Sequence, residues 1–401
     1  MSPAFTRTSK MANEITIDDE TVPYSRIKIA DNPDLTIRVF EYIEGPGYST
    51  DSDNEDDDRE TAKARATDFG VDKNVMRLHS PMLSKMLGPG GWREAGRAVV
   101  ELHEDTSIST TAMQAWFLHF HGKTARLAGL EVTRKDIWSI VAAGKKYGLK
   151  SAELKTWFAD WYTKCEEGKV WKVQDCQELL YPCFEFDHAP GFARASSYLA
   201  YNKHGHIMER NPTKHRDLHL PPRTIQQINA AKGRLRIVLH RELWKPISRL
   251  FTQTQCSCKE KTVFGYQKAL VNIGVWPLEE MYLKYSLKEI LDKLSKFDWA
   301  PDPDSCCYCS ITNYARLVAK AGRDVSSRFQ GLCLVCMDMT NPKTTNVDED
   351  YWRHNFIKDW DRKCRPHGVS HGQPTWFYSY MGRKQQTDAR EAWYQANRFD
   401  L

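Results

Sequence analysis

Alternation of hydrophobic and polar residues marks the N-terminal third of the chain. Residues 35–40 (LTIRVF) alternate regularly, which predicts a strand. Residues 71–78 alternate more loosely and residues 98–102 (AVVEL) are rich in valine, so two further strands are expected there. Residues 1–33 are polar, contain Pro3, Pro23 and Pro33, and show no period. They are therefore predicted to form a mostly disordered tail.

A short helix is predicted between the second and third of these strands. Ser80 is a preferred N-cap residue, and Pro81 suits the first helical position because the N–H that proline lacks has no helical partner there. One helical face then carries the apolar residues Met82, Leu83, Met86 and Leu87. The sequence GPGG at residues 88–91 is expected to end the helix.

Helical periodicity replaces the alternation after residue 102. Three segments repeat the spacing i, i+3, i+4, i+7, which places an apolar stripe on one face of each predicted helix. The stripes are Met113, Trp116, Phe117 and Phe120; Ile137, Ile140, Val141 and Gly144; and Leu154, Trp157, Phe158 and Trp161. Gly148 follows the second stripe and suits the left-handed position that ends many helices. Strands followed by helices predict the α+β class.

A strongly acidic run, residues 51–60 (DSDNEDDDRE), interrupts the predicted sheet after its first strand. Like charges at this density repel one another and stay solvated, so a flexible loop insertion is expected at about residues 45–66. An alternative interpretation is phosphorylation of Ser49, Thr50 or Ser52, where phosphate would add to the negative charge of the following carboxylates.

The order of strands, Ser-Pro helix, glycine-rich loop and helices over residues 35–162 resembles a BTB (POZ) domain. The whole chain resembles BTB proteins of filamentous fungi that have a cysteine-bearing C-terminal region, represented here by residues 331–336, 350–354 and 371–376. The resemblance implies a small sheet covered by helices, binding to protein partners, and a homodimer formed through this domain.

Trp92, Arg93 and Glu94 lie in the loop after the Ser-Pro helix. BTB proteins that bind a cullin scaffold carry an apolar residue, any residue and an acidic residue at this place, so the resemblance implies that these three residues bind a partner. The expected function is a non-enzymatic protein-protein interaction module, acting as a substrate adaptor for a cullin-type ubiquitin ligase. The sequence contains no phosphate-binding loop or dinucleotide fingerprint that would indicate an enzyme.

Length and composition indicate the number of domains, the cellular compartment and the role of the cysteines. With 401 residues the chain can form two or three domains. Residues 1–14 lack the apolar segment of a signal peptide, and no apolar run is long enough to span a membrane. The chain is therefore expected in the nucleus or cytoplasm, where clustered cysteines more often bind metals than form disulfides.

Seven of the 11 cysteines fall in short clusters between residues 256 and 336. Closely spaced cysteines supply two zinc ligands from one turn, and structural zinc takes four cysteine or histidine ligands. The predicted ligands of two zinc ions are Cys256, Cys258, Cys306, Cys309, Cys333, Cys336, Cys364 and His371. Cys307 is an alternative to Cys306, and His367 is an alternative to His371. The division of the ligands between the two ions is left open.

Residues 203–250 are the most basic part of the chain, with 11 Lys and Arg against 3 Asp and Glu. A helix is expected to begin at Pro221-Pro222, and Pro246 to kink or restart it. A solvated basic face is the simplest interpretation. The alternatives are a nuclear regulator that binds DNA or chromatin through this zinc-stabilised region, and docking of the chain's own acidic loop.

These patterns predict four regions. They are a disordered tail at residues 1–33, a BTB domain at 34–165, a linker with short helices at 166–221, and a mainly helical cysteine-rich domain at 222–401. Within the last region, Ser286 and Glu289 have the spacing of a capping box at the start of a helix.

Overall fold

A computed structural model of the chain describes residues 13–17, 20–44, 61–90, 92–104, 106–213, 215–334, 363–364 and 368–371. The chain divides into two compact units, the first formed by residues 1–167 with 211–218 and the second by residues 168–210 with 219–401. A five-stranded sheet and 14 α-helices within the described ranges confirm the α+β class. None of the helices in those ranges has the length and apolar character needed to cross a membrane.

The first unit is built on a sheet with the strand order β1-β2-β4-β3-β5. Its strands are β1 (Asn13–Ile17), β2 (Glu20–Lys28), β3 (Leu35–Glu44), β4 (Thr61–Val71) and β5 (Val99–His103). The pairs β1–β2 and β3–β4 are antiparallel, whereas β2–β4 and β3–β5 are parallel. The sheet therefore mixes local pairs with pairs between strands that lie far apart in sequence.

Residues 13–17 and 20–28 form β1 and β2, so the disordered tail predicted for residues 1–33 does not extend over them. Val22 is 3% exposed and packs in a core cluster with Phe40, and Ile15 packs against this cluster. This burial offsets part of the entropy lost when the hairpin becomes ordered. Pro23 made the segment look irregular, but the pairing of β2 with β4 begins only at Tyr24. The N–H that Pro23 lacks is therefore not needed by that ladder.

The strand expected at residues 71–78 is a helix in the structure, because Asp72 ends β4 and begins a helix at Lys73. The Asp72 carboxylate accepts hydrogen bonds from the backbone N–H groups of Asn74 and Val75 at 2.8 and 3.0 Å, which is an N-cap arrangement. Since β4 begins at residue 61, the acidic insertion ends earlier than the predicted residue 66. Residues 45–60, with the proposed phosphorylation sites, lie outside the described residues.

Six α-helices lie in the described part of the first unit. They are α1 (Lys73–His79), α2 (Pro81–Leu87), α3 (Thr110–Phe120), α4 (Thr124–Ala128), α5 (Arg134–Tyr147) and α6 (Lys155–Cys165). The three predicted apolar stripes lie on α3, on α5 and around the start of α6, and all of their residues are buried except Trp157, which is half-buried. Trp116 Nε1 on α3 donates to the carbonyl of Ile140 on α5 at 2.9 Å. The stripes therefore form core contacts, as the periodicity predicted.

Ser80 lies where α1 ends and α2 begins, and its side chain also contacts the end of α5. Its Oγ accepts a hydrogen bond from the N–H of Leu83 at 3.1 Å and donates one to the carbonyl of Tyr147 at 2.8 Å. The first bond caps α2, which begins with Pro81 as predicted. The second holds the last residue of α5, which is followed by Gly148 at φ 67°, the predicted left-handed conformation.

The second unit is helical in its described residues. Its helices are α7 (Val173–Glu185), α8 (Ala189–Asn202), α9 (Pro222–Gln253), α10 (Lys259–Asn272), α11 (Leu278–Lys284), α12 (Leu287–Leu294), α13 (Cys307–Ser310) and α14 (Tyr314–Ser326). Helices α7 and α8 occupy residues predicted as a linker with short helices, and much of their length is buried. They belong to the body of this unit because their apolar faces pack inward.

Two local signals in the second unit had different outcomes. Ser286 and Glu289 form the predicted capping box at the start of α12. Pro246 does not restart the helix, because α9 runs without interruption from Pro222 to Gln253. Leu243 and Ile247, on either side of Pro246, are 1% and 0% exposed, and this burial offsets the hydrogen bond that a proline removes from a helix.

Ser80→Ala should lower the free energy of unfolding by about 2 kcal/mol, because it removes an N-cap and deprives a buried carbonyl of its donor. Urea unfolding followed by tryptophan fluorescence measures this change. Ser84→Ala, in the interior of the same helix, is the matched control and should change the free energy by less than about 0.5 kcal/mol. Equal effects of the two substitutions would contradict the stabilising role assigned to the two hydrogen bonds of Ser80.

Candidate metal centres and an exposed turn

Four of the predicted ligands come together in the second unit, where α10 and α13 begin. Cys256 and Cys258 precede α10, with Cys258 at its N-cap position. Cys306 is the N-cap of α13, and Cys309 lies within that helix. The four sulfur atoms lie within 4.8 Å of one another. This group is therefore positioned to bind one metal ion.

The sulfur–sulfur distances fit a metal centre better than a disulfide. Cys309 Sγ lies 3.5 Å from Cys256 Sγ and 3.6 Å from Cys258 Sγ. A disulfide requires about 2.05 Å. A tetrahedral zinc ion with Zn–S bonds of about 2.3 Å separates its sulfur ligands by about 3.8 Å. The cluster is thus close to the size required by structural zinc.

Burial and hydrogen bonds shift the pKa values of three of the four thiols, in both directions. The pKa of the Cys306 thiol is lowered to about 7, chiefly by a hydrogen bond from the backbone N–H of Cys309. Burial raises the pKa of Cys256 to about 12 and also raises that of Cys309. Several thiolates so close together repel one another, and a divalent cation reverses this penalty because it stabilises the deprotonated ligands.

Two polar contacts hold the segments that carry these cysteines. The backbone N–H of Cys306 donates to Cys258 Sγ at 3.4 Å, the kind of contact that orients a metal ligand. Lys261 Nζ on α10 lies 2.6 Å from Asp302 Oδ2 in the segment that precedes Cys306. This ion pair was missed by the sequence patterns because its partners are 41 residues apart, and such a separation has no characteristic spacing.

Aromatic packing sets the distance between the same segments. The rings of Tyr266 and Tyr314 have centroids 5.4 Å apart, and Trp299 stacks edge-on against Tyr314 at 5.1 Å. A Cβ on Gly265 of α10 would lie 2.7 Å from the Trp299 ring. The glycine therefore allows the chain after α12 to approach α10, and this approach brings Cys306 and Cys309 to the first pair.

The choice between Cys306 and Cys307 follows from the geometry. Cys306 contributes its sulfur to the cluster, whereas Cys307 is exposed and lies outside it. The structure therefore favours the first alternative.

A second group consists of Cys333, Cys364 and His371, whose ligand atoms also lie within 4.8 Å of one another. All three are at most 3% exposed. The backbone N–H of Cys364 donates to the carbonyl of Val369 at 2.8 Å, and the N–H of Gly368 donates to the carbonyl of Cys364 at 2.7 Å. This turn brings Cys364 and His371 to the same side. Cys336 and the alternative ligand His367 lie outside the described residues.

The seven predicted ligands that the structure describes therefore separate into two groups. The first group contains Cys256, Cys258, Cys306 and Cys309, and the second contains the described residues Cys333, Cys364 and His371. The buried cysteines Cys176 and Cys183 belong to neither group and lie within α7. Each group joins segments that are far apart in sequence, which is the arrangement expected of structural metal sites.

Trp92, Arg93 and Glu94 lie in the first unit at the start of a 3₁₀ turn formed by Arg93–Gly96. Trp92 is 55% exposed. Arg93 is exposed and Glu94 is half-buried. The Nζ atom of Lys73 on α1 donates to the carbonyl of Ala95 at 2.5 Å. The turn is therefore attached to the body of the unit while its aromatic residue faces solvent.

Comparisons of this chain with protein-family models, with curated proteins and with solved structures found no match.

Cys306→Ser should remove about one equivalent of zinc from the full-length protein, because a structural site needs all four of its ligands. Cys307→Ser is the matched control and should leave the zinc content unchanged, since its sulfur lies outside the cluster. Mass-spectrometric metal analysis after gel filtration measures both. Loss of zinc from the Cys307 variant alone would contradict the ligand assignment.

Proposed function

We propose that this chain is a non-enzymatic protein-interaction protein whose first unit is a BTB-type module, and that it serves as a substrate adaptor for a cullin-type ubiquitin ligase. The observation that carries the proposal is Trp92, a large aromatic residue that is 55% exposed on an ordered turn directly after α2. Exposed aromatic residues on rigid surfaces are frequent anchors of protein interfaces.

The order of the Trp92 turn supports this role. The N–H of Ala95 donates to the carbonyl of Trp92 at 3.0 Å, and the N–H of Arg97 donates to the carbonyl of Glu94 at 3.1 Å. Together with the bond from Lys73, these contacts fix the backbone before a partner arrives. A preformed anchor loses less conformational entropy on binding than a mobile one. In this proposal Trp92 fills an apolar pocket and Glu94 fixes the orientation.

The architecture of the first unit gives further support. The Phe117 ring of α3 lies 5.2 Å from the Phe69 ring of β4, and α5 packs against α3. A small sheet with helices packed on it is compatible with the fold that the BTB resemblance implies. The proposal includes a homodimer formed through this unit and a location in the nucleus or cytoplasm. The binding partners are proteins, and no membrane is involved.

Zinc is the metal that we propose for both cysteine-containing groups. Four thiolates, or three thiolates with one imidazole, form a closed tetrahedral shell for zinc. In this proposal the predicted ligand Cys336, which lies outside the described residues, completes the shell begun by Cys333, Cys364 and His371. A closed shell leaves no position for a substrate or an activated water, so the proposed role is structural. The ions would hold the second unit in the shape that presents a substrate to the ligase.

Trp92→Ala combined with Glu94→Ala should weaken binding of the full-length protein to a cullin by roughly thirtyfold or more, because an interface anchor contributes about 2 kcal/mol or more. Biolayer interferometry measures the affinity. Leu78→Ala is the matched control, since Leu78 is an apolar residue of the same unit that is 81% exposed. An unchanged affinity of the double variant, with a native circular dichroism spectrum, would remove the main support for the adaptor proposal.

A second candidate function is nucleic-acid binding by the second unit, and one surface of α9 favours it. Arg241, Lys245 and Arg249 are exposed and spaced at i, i+4 and i+8, so they share one face of the helix. Trp244 is 40% exposed beside them. Glu242 lies 3.3 Å from Arg241 and 3.9 Å from Lys245 and partly neutralises this face. We therefore rank it below the adaptor function.

If this face binds DNA, replacing Arg241, Lys245 and Arg249 together with Gln should make the affinity less dependent on salt. Each lost phosphate contact should reduce the slope of log affinity against log salt by about 1. Fluorescence anisotropy with a labelled duplex over a range of salt concentrations measures the slope. Absence of salt-sensitive binding by the unaltered protein would exclude this candidate.

A further inference from the structure

A cavity of about 340 Å³ lies in the second unit, between α9, the loop after α8 and the end of α11. Its polar lining includes His204, His206, Asn229, Lys232, Arg236 and Tyr282, and none of the described residues that line it is acidic. Asn229 fixes one wall, because its side chain accepts from the N–H of Ile207 at 2.9 Å and donates to the carbonyl of the same residue at 2.8 Å. The cavity is therefore both basic and ordered.

Lys232 is 3% exposed, an unusual position for a lysine without an acidic partner. Its Nζ donates to the carbonyl of Lys203 at 2.5 Å and also to the carbonyl of Gly205. These bonds hold the chain where α8 ends, which is a sufficient structural reason for a cation there. They use two of the three N–H donors of the ammonium group and neutralise none of its charge.

Arg236 lies one turn further along α9 and adds a second cation. Its Nε and Nη2 atoms are buried and have no hydrogen-bond partner among the described residues. Its guanidinium carbon lies 4.7 Å from the centroid of the Tyr282 ring, a contact that partly compensates for the burial of its charge. Like charges at i and i+4 of a helix repel each other. Placing Lys232 and Arg236 one turn apart therefore lowers the stability of the fold.

The burial of the two cations also changes their pKa values. Burial lowers the pKa of Lys232 to about 8, with further lowering by the charges of Arg236 and Lys203. Burial also lowers the pKa of Arg236. The acidic residues nearby serve other contacts, because Glu289 caps α12 through Ser286 and Glu279 lies 3.3 Å from His240. The charge of Glu289 also interacts with His204 at the edge of the cavity. Lys232 and Arg236 themselves have no carboxylate partner among the described residues.

We propose that this cavity binds an oxyanion of the phosphate class, held by Lys232 and Arg236 with His204 and His206 at the entrance. Hydrogen bonds between a cation and a phosphate are among the strongest in proteins, and arginine matches the geometry of phosphate oxygens. The volume exceeds that of a phosphate ion, so the cavity also has room for the ester group of a small phosphomonoester. This site is independent of the interaction proposed for the first unit.

Isothermal titration calorimetry of the full-length protein tests the site with inorganic phosphate and with O-phosphoserine, at constant ionic strength. We expect saturable binding of inorganic phosphate in the millimolar range or tighter and no binding of serine. Tighter binding of O-phosphoserine would identify a phosphomonoester as the preferred ligand, and equal or weaker binding would identify free phosphate. No binding of either anion at millimolar concentration would overturn the proposal.

Arg236→Gln should weaken the binding of phosphate by roughly tenfold or more, because it removes a charge-assisted hydrogen bond. Arg323→Gln removes the same charge from an exposed position on α14. Arg323 does not line the cavity, so this control should leave the affinity unchanged. If both variants bind phosphate as the unaltered protein does, the assignment of Arg236 is wrong.

Gly233→Glu provides a test that does not remove any contact of the folded protein. A Cβ at Gly233, which lines the cavity, would meet nothing within 4 Å, and glutamate is a better helix former than glycine. The added carboxylate should abolish phosphate binding by repulsion. Gly322→Glu, at an equally open position in α14, is the matched control and should bind normally. A folded Gly233 variant with unchanged affinity would overturn the proposal.

Discussion

The requirement to hold four cysteine sulfur atoms within 4.8 Å of one another governs the second unit. The atoms are too far apart for disulfides and too close for several unshielded thiolates. Cys258 and Cys306 are separated by 47 intervening residues, and closing such a loop costs only slightly more entropy than closing one half as long. A cation at this point would therefore stabilise the contact of α10 with α13 and the aromatic packing of Tyr266 and Trp299.

The second group of ligands depends on α8 in a comparable way. Ser196 Oγ accepts a hydrogen bond from the N–H of Leu332 at 2.8 Å, directly before Cys333. Gly331 has φ 99°, and a Cβ there would lie 1.8 Å from the carbonyl oxygen of Ala193, so only glycine allows the chain to lie against the helix. The position of Cys333 thus follows from a backbone contact with α8. This explains why α7 and α8 belong to the body of the unit and do not form a linker.

Features specified by neighbouring residues could be predicted from sequence, and features specified by distant residues could not. The cap at Ser80, the left-handed Gly148 and the capping box at Ser286 each depend on residues within one turn. The helix at Lys73 also has a local cause, Asp72, but the β-forming residues after it obscured the signal. By contrast, the parallel pairing of β2 with β4 leaves no periodic pattern. The spacing of Lys232 and Arg236 is local, but nothing in it indicates that His204 and Tyr282 line the same cavity. Cysteines are an intermediate case, because the spacing within each pair is local while the grouping of pairs is not.

Some unfavourable features of this chain are compensated by other residues of the fold, and others are not. The uncompensated features are the ones that indicate function. Asp68 is 5% exposed but accepts hydrogen bonds from Tyr24 at 2.8 Å and from Arg38 at 2.7 Å, so its burial is compensated within the sheet. Trp92 and Arg236 have no comparable compensation, because one exposes an aromatic ring and the other buries charge without an anion. Folding alone gives no reason to retain either arrangement. Each becomes favourable when a partner covers the ring or an oxyanion enters the cavity, and for this reason the functional hypotheses rest on these two places.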